Sequence, residues 1–183
     1  MTSREFQEYE SLRATIRERG TARHWMLLAG LVGWATLSLG VGAWGTDPVE
    51  VLVPLIVLVA TFEVVFAIHT GVERVGRYLQ VYFEQDGETA RWEHVAMAYG
   101  RQFGGGGMDA LFSPLFWVAT LCNLIPAVLM EPAPAEWAVI ALVHLLVVGR
   151  IASARTQAAG QRAQDLERFA TLKAAANPNP PQS

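Results

Sequence analysis

Three polar side chains lie inside long apolar stretches of this 183-residue chain: Glu63, Asn123 and His144. A charged group at membrane depth costs on the order of 2 to 3 kcal/mol on insertion scales, so such a group needs a partner. Two interpretations stay open. The three side chains form a proton or ion relay, or they are hydrogen-bonded clips between helices, with Glu63 protonated.

Glu63 lies on a face of mostly small residues with a helical spacing of four and three. That face consists of Ile56, Ala60, Glu63, Ala67 and Thr70. Small residues allow helices to approach closely, so the pattern predicts that Glu63 faces the helix bundle and not lipid. Asn123 and His144 have similar estimated depths and could hydrogen-bond across helices, whereas Glu63 is about 6 Å deeper than His144.

Sequence patterns for catalysis or metal binding are lacking. The chain has no Glu-x-x-His, His-x-x-x-His or Cys-x-x-Cys spacing, and its single cysteine, Cys122, lies in an apolar run. No serine or cysteine nucleophile motif is evident. We therefore expect no catalytic residues, no metal and no cofactor, and the sequence favours a protein that is not an enzyme.

Four segments have the length and apolarity of transmembrane helices, at about 25–44, 49–70, 110–130 and 135–151. The first and third carry no charge, which a surface helix of a soluble bundle cannot tolerate. Pro126 is expected to kink or end the third helix locally. The first apolar run is longer than the apolar core of a typical signal peptide, which favours a retained span. The predicted fold is all-α: an integral membrane four-helix bundle with amphipathic cytoplasmic helices.

Basic residues indicate the orientation of these spans. The short links at 45–48 and 131–134 contain none of the 14 lysines and arginines, which all lie in the other three regions. The positive-inside rule then places both chain ends and the middle loop in the cytoplasm. Thirteen of the basic residues are arginine, typical of GC-rich bacterial coding, so we expect a bacterial inner membrane.

The remaining chain is predicted to form cytoplasmic helices at about 4–19, 71–84, 89–103 and 152–176. Gly20 is expected to end the first, and four glycines at 104–107 to form a hinge. Residues 1–176 would form a single domain, followed by a disordered tail at 177–183. One face of the first helix is apolar. This face packs on the membrane surface or on the middle loop, or alternatively it binds a partner protein. It consists of Phe6, Tyr9, Leu12 and Ile16.

The net charge of −3 argues against a nucleic-acid partner. The expected partners are the lipid bilayer and either another membrane protein or further copies of the chain. We expect an accessory, scaffold or regulatory membrane protein that acts through its cytoplasmic helices. The alternative is an oligomeric proton-coupled transporter or channel that uses Glu63.

Overall fold

The computed structural model describes residues 2–84, 92–102 and 109–176, and all regular secondary structure in these ranges is helical. The helices are α1 (Ser3–Trp44), α2 (Leu52–Tyr82), α3 (Trp92–Gln102), α4 (Ser113–Cys122), α5 (Ile125–Leu129) and α6 (Pro134–Ala176). A 3-10 helix, Pro48–Val51, leads directly into α2. The predicted hinge at 104–107 and the tail at 177–183 lie outside the described residues.

Within the described residues, three helical stretches are long and apolar enough to cross a membrane: Ser3–Trp44, Pro48–Tyr82 and Pro134–Ala176. Only 6% of the most apolar window of the first stretch is buried inside the protein. So much exposed apolar surface is unstable in water but not in lipid. The three helices therefore indicate a multi-pass membrane protein.

The third predicted span is shorter than expected. Its helical part runs from Ser113 to Leu129, and a turn at Asn123 and Leu124 divides it into α4 and α5. Pro126 occupies the first turn of α5, where its missing N–H does not remove a helical hydrogen bond. The predicted interruption at Pro126 is thus confirmed.

The expectation that Gly20 ends the first helix is wrong, because α1 continues through it without a break. Gly20 does not adopt the positive φ of a glycine helix cap. A helix end would leave several backbone groups without helical partners, and this outweighs the roughly 1 kcal/mol penalty of an interior glycine. Gly160 is likewise contained within α6.

The chain forms two compact units, and α1, α2 and α6 contribute residues to both. The first, here called the apolar unit, consists of Thr21–Ile68 and Asp109–Thr156. In it α2 buries its large side chains. The Phe62 ring packs edge to face on the Phe116 ring of α4, with ring centroids 5.0 Å apart. Helix α1 approaches α2 at Gly30, where a Cβ atom would overlap Thr61.

The second, here called the polar unit, consists of Met1–Gly20, His69–Met108 and Gln157–Ser183. Ion pairs join its parts of α2 and α6: Arg162 lies 2.7 Å from Glu73, and Arg74 lies 3.0 Å from Asp165. Aromatic packing adds to these contacts, since the Tyr78 ring stands edge to face on Phe169 at 5.6 Å. These ion pairs and aromatic contacts between α2 and α6 stabilise the polar unit.

Candidate functional site

Asn123, at the break between α4 and α5, is the centre of a buried polar cluster in the apolar unit. Its Oδ1 accepts hydrogen bonds from the Trp34 indole at 2.9 Å and the Ser38 hydroxyl at 3.4 Å. Its Nδ2 donates to the Val51 carbonyl at 2.8 Å and lies 3.2 Å from Nε2 of His144. One amide therefore connects α1, the 3-10 helix, α4 and α6.

The contacts of His144 define its tautomer. Nδ1 lies 2.7 Å from the Ile140 carbonyl, which can only accept, so Nδ1 carries the proton. Nε2 must then accept from the Asn123 amide. Both nitrogens of a neutral ring are engaged, which is the arrangement of a structural clip between helices.

Glu63 does not join that cluster and pairs instead with Arg150 of α6. The guanidinium contacts the carboxylate side-on, with Nε 2.8 Å from Oε1 and Nη2 2.8 Å from Oε2. Two aromatic rings of α2 lie beside the same guanidinium, Phe66 at 4.6 Å and Phe62 at 5.5 Å. The bidentate and cation–π contacts hold Arg150 in one orientation.

The Glu63 carboxylate contacts α6, but the small-residue face around it is not the buried face of α2. Ile56, Ala60 and Ala67 of its small-residue face are exposed, and the Glu63 side chain is 43% exposed. Helix α2 instead buries its large residues: Leu55, Leu58, Phe62, Val65 and Phe66. Large side chains provide more dispersion contacts than small ones, and this decides which of two apolar faces is buried.

Arg150 was missed as the partner of Glu63, although the sequence contains a signal. Glu63 lies 15 residues after Pro48, and Arg150 lies 16 residues after Pro134. These prolines start the two apolar stretches, so both side chains lie about 23 Å along their helices. Opposite charges at equal depth on neighbouring spans are expected to pair.

Asp109 fixes the start of α4. Its carboxylate accepts hydrogen bonds from the backbone N–H groups of Leu111 and Ser113, and it lies 2.9 Å from Arg155. Partial burial alone would raise the pKa of Asp109, but the hydrogen bonds and Arg155 lower it below the usual 3.8. Asp109 thus remains a carboxylate at neutral pH and binds the backbone at the start of α4.

In the polar unit, Glu84 holds the start of α3. Its buried carboxylate accepts hydrogen bonds from the backbone N–H groups of Glu93 at 3.0 Å and His94 at 3.3 Å. Arg13 of α1 lies 2.8 Å from Glu93. Burial raises the pKa of Glu93 above 4.5, against the attraction of Arg13 and Arg77. The Glu93 carboxylate of α3 therefore faces inward.

The aromatic side of α3 faces outward. Trp92 is 66% exposed, Val95 49% and Tyr99 56%, and these residues lie three and four positions apart on one helix face.

The apolar face predicted near the amino terminus of α1 is only partly exposed. Phe6 is exposed, whereas Tyr9, Leu12 and Ile16 are partly buried, and the Tyr9 ring packs on Phe83 at 5.8 Å.

No protein-family model, curated protein or solved structure matches this chain. Across residues 2–84, 92–102 and 109–176, no three His, Cys, Asp or Glu side chains lie close enough together to share a metal ion. In the part of the chain that the structure describes, the fold is all-helical and includes three helices long and apolar enough to cross a bilayer, which indicates the class of multi-pass membrane proteins. Its candidate sites are the Asn123 cluster, the Glu63–Arg150 pair and the exposed face of α3.

Proposed function

We propose that the chain spans a bacterial inner membrane four times, with both ends in the cytoplasm. The additional span, third in chain order, would be α4 and α5 together. Broken helices are tolerated at membrane depth where the backbone groups at the break find partners. At this break the Asn123 N–H donates to the Ala119 carbonyl at 2.9 Å and the Leu124 N–H to the Leu121 carbonyl at 3.1 Å. The absence of basic residues from the links at 45–48 and 131–134 supports the orientation.

Within this topology, we propose that the protein is an accessory or scaffold protein that binds another protein through α3. The proposal rests on the orientation of that helix, which buries a charged residue and exposes apolar residues. Glu93 is buried, while Trp92 and Val95 are exposed. An amphipathic helix in water normally buries its apolar face, and an exposed aromatic face is typical of an interaction site.

A protein partner fits this face better than the membrane surface. Helix α2 continues for twelve residues beyond Thr70, the inner end of its predicted span, to Tyr82. That length of helix is about 18 Å. Glu84, just beyond Tyr82, binds the backbone at the start of α3. This further length of helix between the predicted span and α3 favours a protein partner over the membrane surface.

Co-purification from the native membrane in mild detergent tests this proposal. The double variant Trp92→Ser with Val95→Ser removes the exposed face, and Leu172→Ser removes an equally exposed leucine of α6 in the same unit as a matched control. We expect a stoichiometric partner with the wild type and with Leu172→Ser, and its loss from the double variant.

Two outcomes would reject the scaffold proposal. One is a wild-type protein that purifies without a partner. The other is a double variant that retains the partner at wild-type stoichiometry. A Phe6→Ser variant tests the face near the amino terminus separately, because Phe6 is the exposed member of that face.

A second candidate function is an oligomeric proton-coupled transporter or channel that uses Glu63. Its support is a carboxylate that is 43% exposed at membrane depth. Against it stands the bidentate contact with Arg150, which engages both carboxylate oxygens. Proton flux into liposomes that contain the purified protein decides between them, because a transporter requires Glu63→Gln to abolish flux in a folded protein.

A further inference from the structure

An apolar groove of about 560 Å³ lies between α2 and α6 in the apolar unit. Its walls run along α2 from Leu52 to Phe62 and along α6 from Val143 to Ile151, and Phe116 of α4 also lines it. Leu52 and Phe62 are ten positions apart in α2, which gives the groove a length of about 15 Å. A groove of this size and lining suits an apolar chain and not a polar solute.

Charged groups stand at one end of this groove. Arg150 lines the groove, and its side chain is 28% exposed, while that of Glu63 beside it is 43% exposed. The two form one positive and one negative group, held side by side. Partly exposed charges at membrane depth require polar surroundings, so the groove and its charged end together suit an amphiphile.

We propose that the groove binds a phospholipid whose headgroup carries both a phosphate and a primary ammonium group, as in phosphatidylethanolamine. One acyl chain lies along α2 and α6, the phosphate contacts the Arg150 guanidinium, and the ammonium donates a hydrogen bond to Glu63. Charge complementarity selects this headgroup. A purely anionic headgroup would be repelled by Glu63, and a trimethylated ammonium has no N–H to donate.

This assignment rests on the membrane topology proposed above, but not on α3 or its partner. Native mass spectrometry of the purified protein tests it, after equilibration with an equimolar mixture of phosphatidylethanolamine, phosphatidylcholine and phosphatidylglycerol with identical acyl chains. We expect the first lipid to be enriched about threefold or more in the bound fraction, which corresponds to roughly 0.7 kcal/mol.

Variants separate the two halves of the site. Ala60→Phe fills the groove from an exposed position of α2, and we expect it to remove the enrichment. Leu142→Phe, at an exposed position of α6 outside the groove, is the matched control and should retain it. Glu63→Gln removes the negative charge and should shift the preference towards phosphatidylglycerol.

Equal retention of the three lipids by the wild type would overturn the assignment, as would undiminished enrichment in Ala60→Phe. A dimeric mass without enriched lipid would show that a second copy covers the groove and would also reject it. A protein that loses lipid selectivity but keeps its co-purifying partner leaves the scaffold function intact, so the two failures are distinguishable.

Discussion

Replacement of Asn123 by alanine should destabilise the apolar unit, because one side chain provides four contacts there. Three of them are short: to the Trp34 indole, the Val51 carbonyl and His144. Hydrogen bonds between helices in membranes contribute about 0.6 kcal/mol each on average. Three such bonds and a small cavity give an expected loss of about 2 to 3 kcal/mol in the free energy of unfolding.

Asn123→Asp provides a sharper comparison, because it preserves size but replaces the donating amide with an acceptor. Oδ1 can still accept from Trp34, whereas the Val51 carbonyl and Nε2 of His144 would face a carboxylate oxygen. We expect a larger loss than for alanine at neutral pH, by about 1 kcal/mol or more. Acidification should narrow the difference, since a doubly protonated His144 can donate from Nε2.

The assay is reversible unfolding in mixed micelles of dodecyl maltoside and sodium dodecyl sulfate, followed by circular dichroism. Cys122→Ala is the control, since Cys122 is the exposed neighbour of Asn123 and should change the free energy of unfolding by less than about 0.5 kcal/mol. A loss below about 0.5 kcal/mol for Asn123→Ala, or pH-independent behaviour of Asn123→Asp, would refute the clip interpretation of this cluster.

Two further predictions concern charged groups. Glu63→Gln and Arg150→Gln should each lower the free energy of unfolding by about 1 to 2 kcal/mol, because each single change leaves a partly buried charge unpaired. The double variant should lower it by less than the sum of the two single losses. Additive losses in the same micelle assay would contradict the pairing. Burial, and the hydrogen bond that Tyr78 donates to Glu8, raise the pKa of Tyr78 from 10.0 to about 12. The folded state thus favours the protonated phenol, and this stabilisation is complete below pH 10 and is lost between pH 10 and 12. Ultraviolet titration should show one late-ionising tyrosine that is absent from Tyr78→Phe, and a wild type without it would contradict the prediction.

The helical class and the local interruption at Pro126 were predictable because both follow from backbone chemistry. Apolar runs of about 20 residues form helices in a membrane, and proline lacks the N–H that a helix interior uses. The contact between Asn123 and His144 followed from similar estimated depths. These inferences needed only distances along single helices.

The buried face of α2 could not be predicted from residue type. In water, one apolar face identifies the buried side of a helix, but in a bilayer both the lipid and the helix bundle are apolar. Helix α2 offers a small-residue face and a large-residue face, and hydropathy does not choose between them. The structure buries the large face with Phe62 and leaves Ala60 exposed.

The prediction that Gly20 ends the first helix failed, because the intrinsic preference of one residue is weaker than the continuity of the helix. The role of Glu84 was likewise invisible in the sequence. Its carboxylate binds backbone N–H groups nine and ten residues later, and no side-chain periodicity records such a contact. Contacts to the backbone are the general class that pattern reading misses.

The two units differ in which side chains they bury. In the apolar unit, the fully buried pair is neutral, Asn123 with His144, and the charged pair, Glu63 with Arg150, is partly exposed. That order follows the free energy of transfer from water, which is far larger for charges. In the polar unit the order is reversed, with Glu93 inside and Trp92 outside. The ion pair with Arg13 stabilises the buried Glu93, and Trp92 lies on the surface to which we propose that a partner binds.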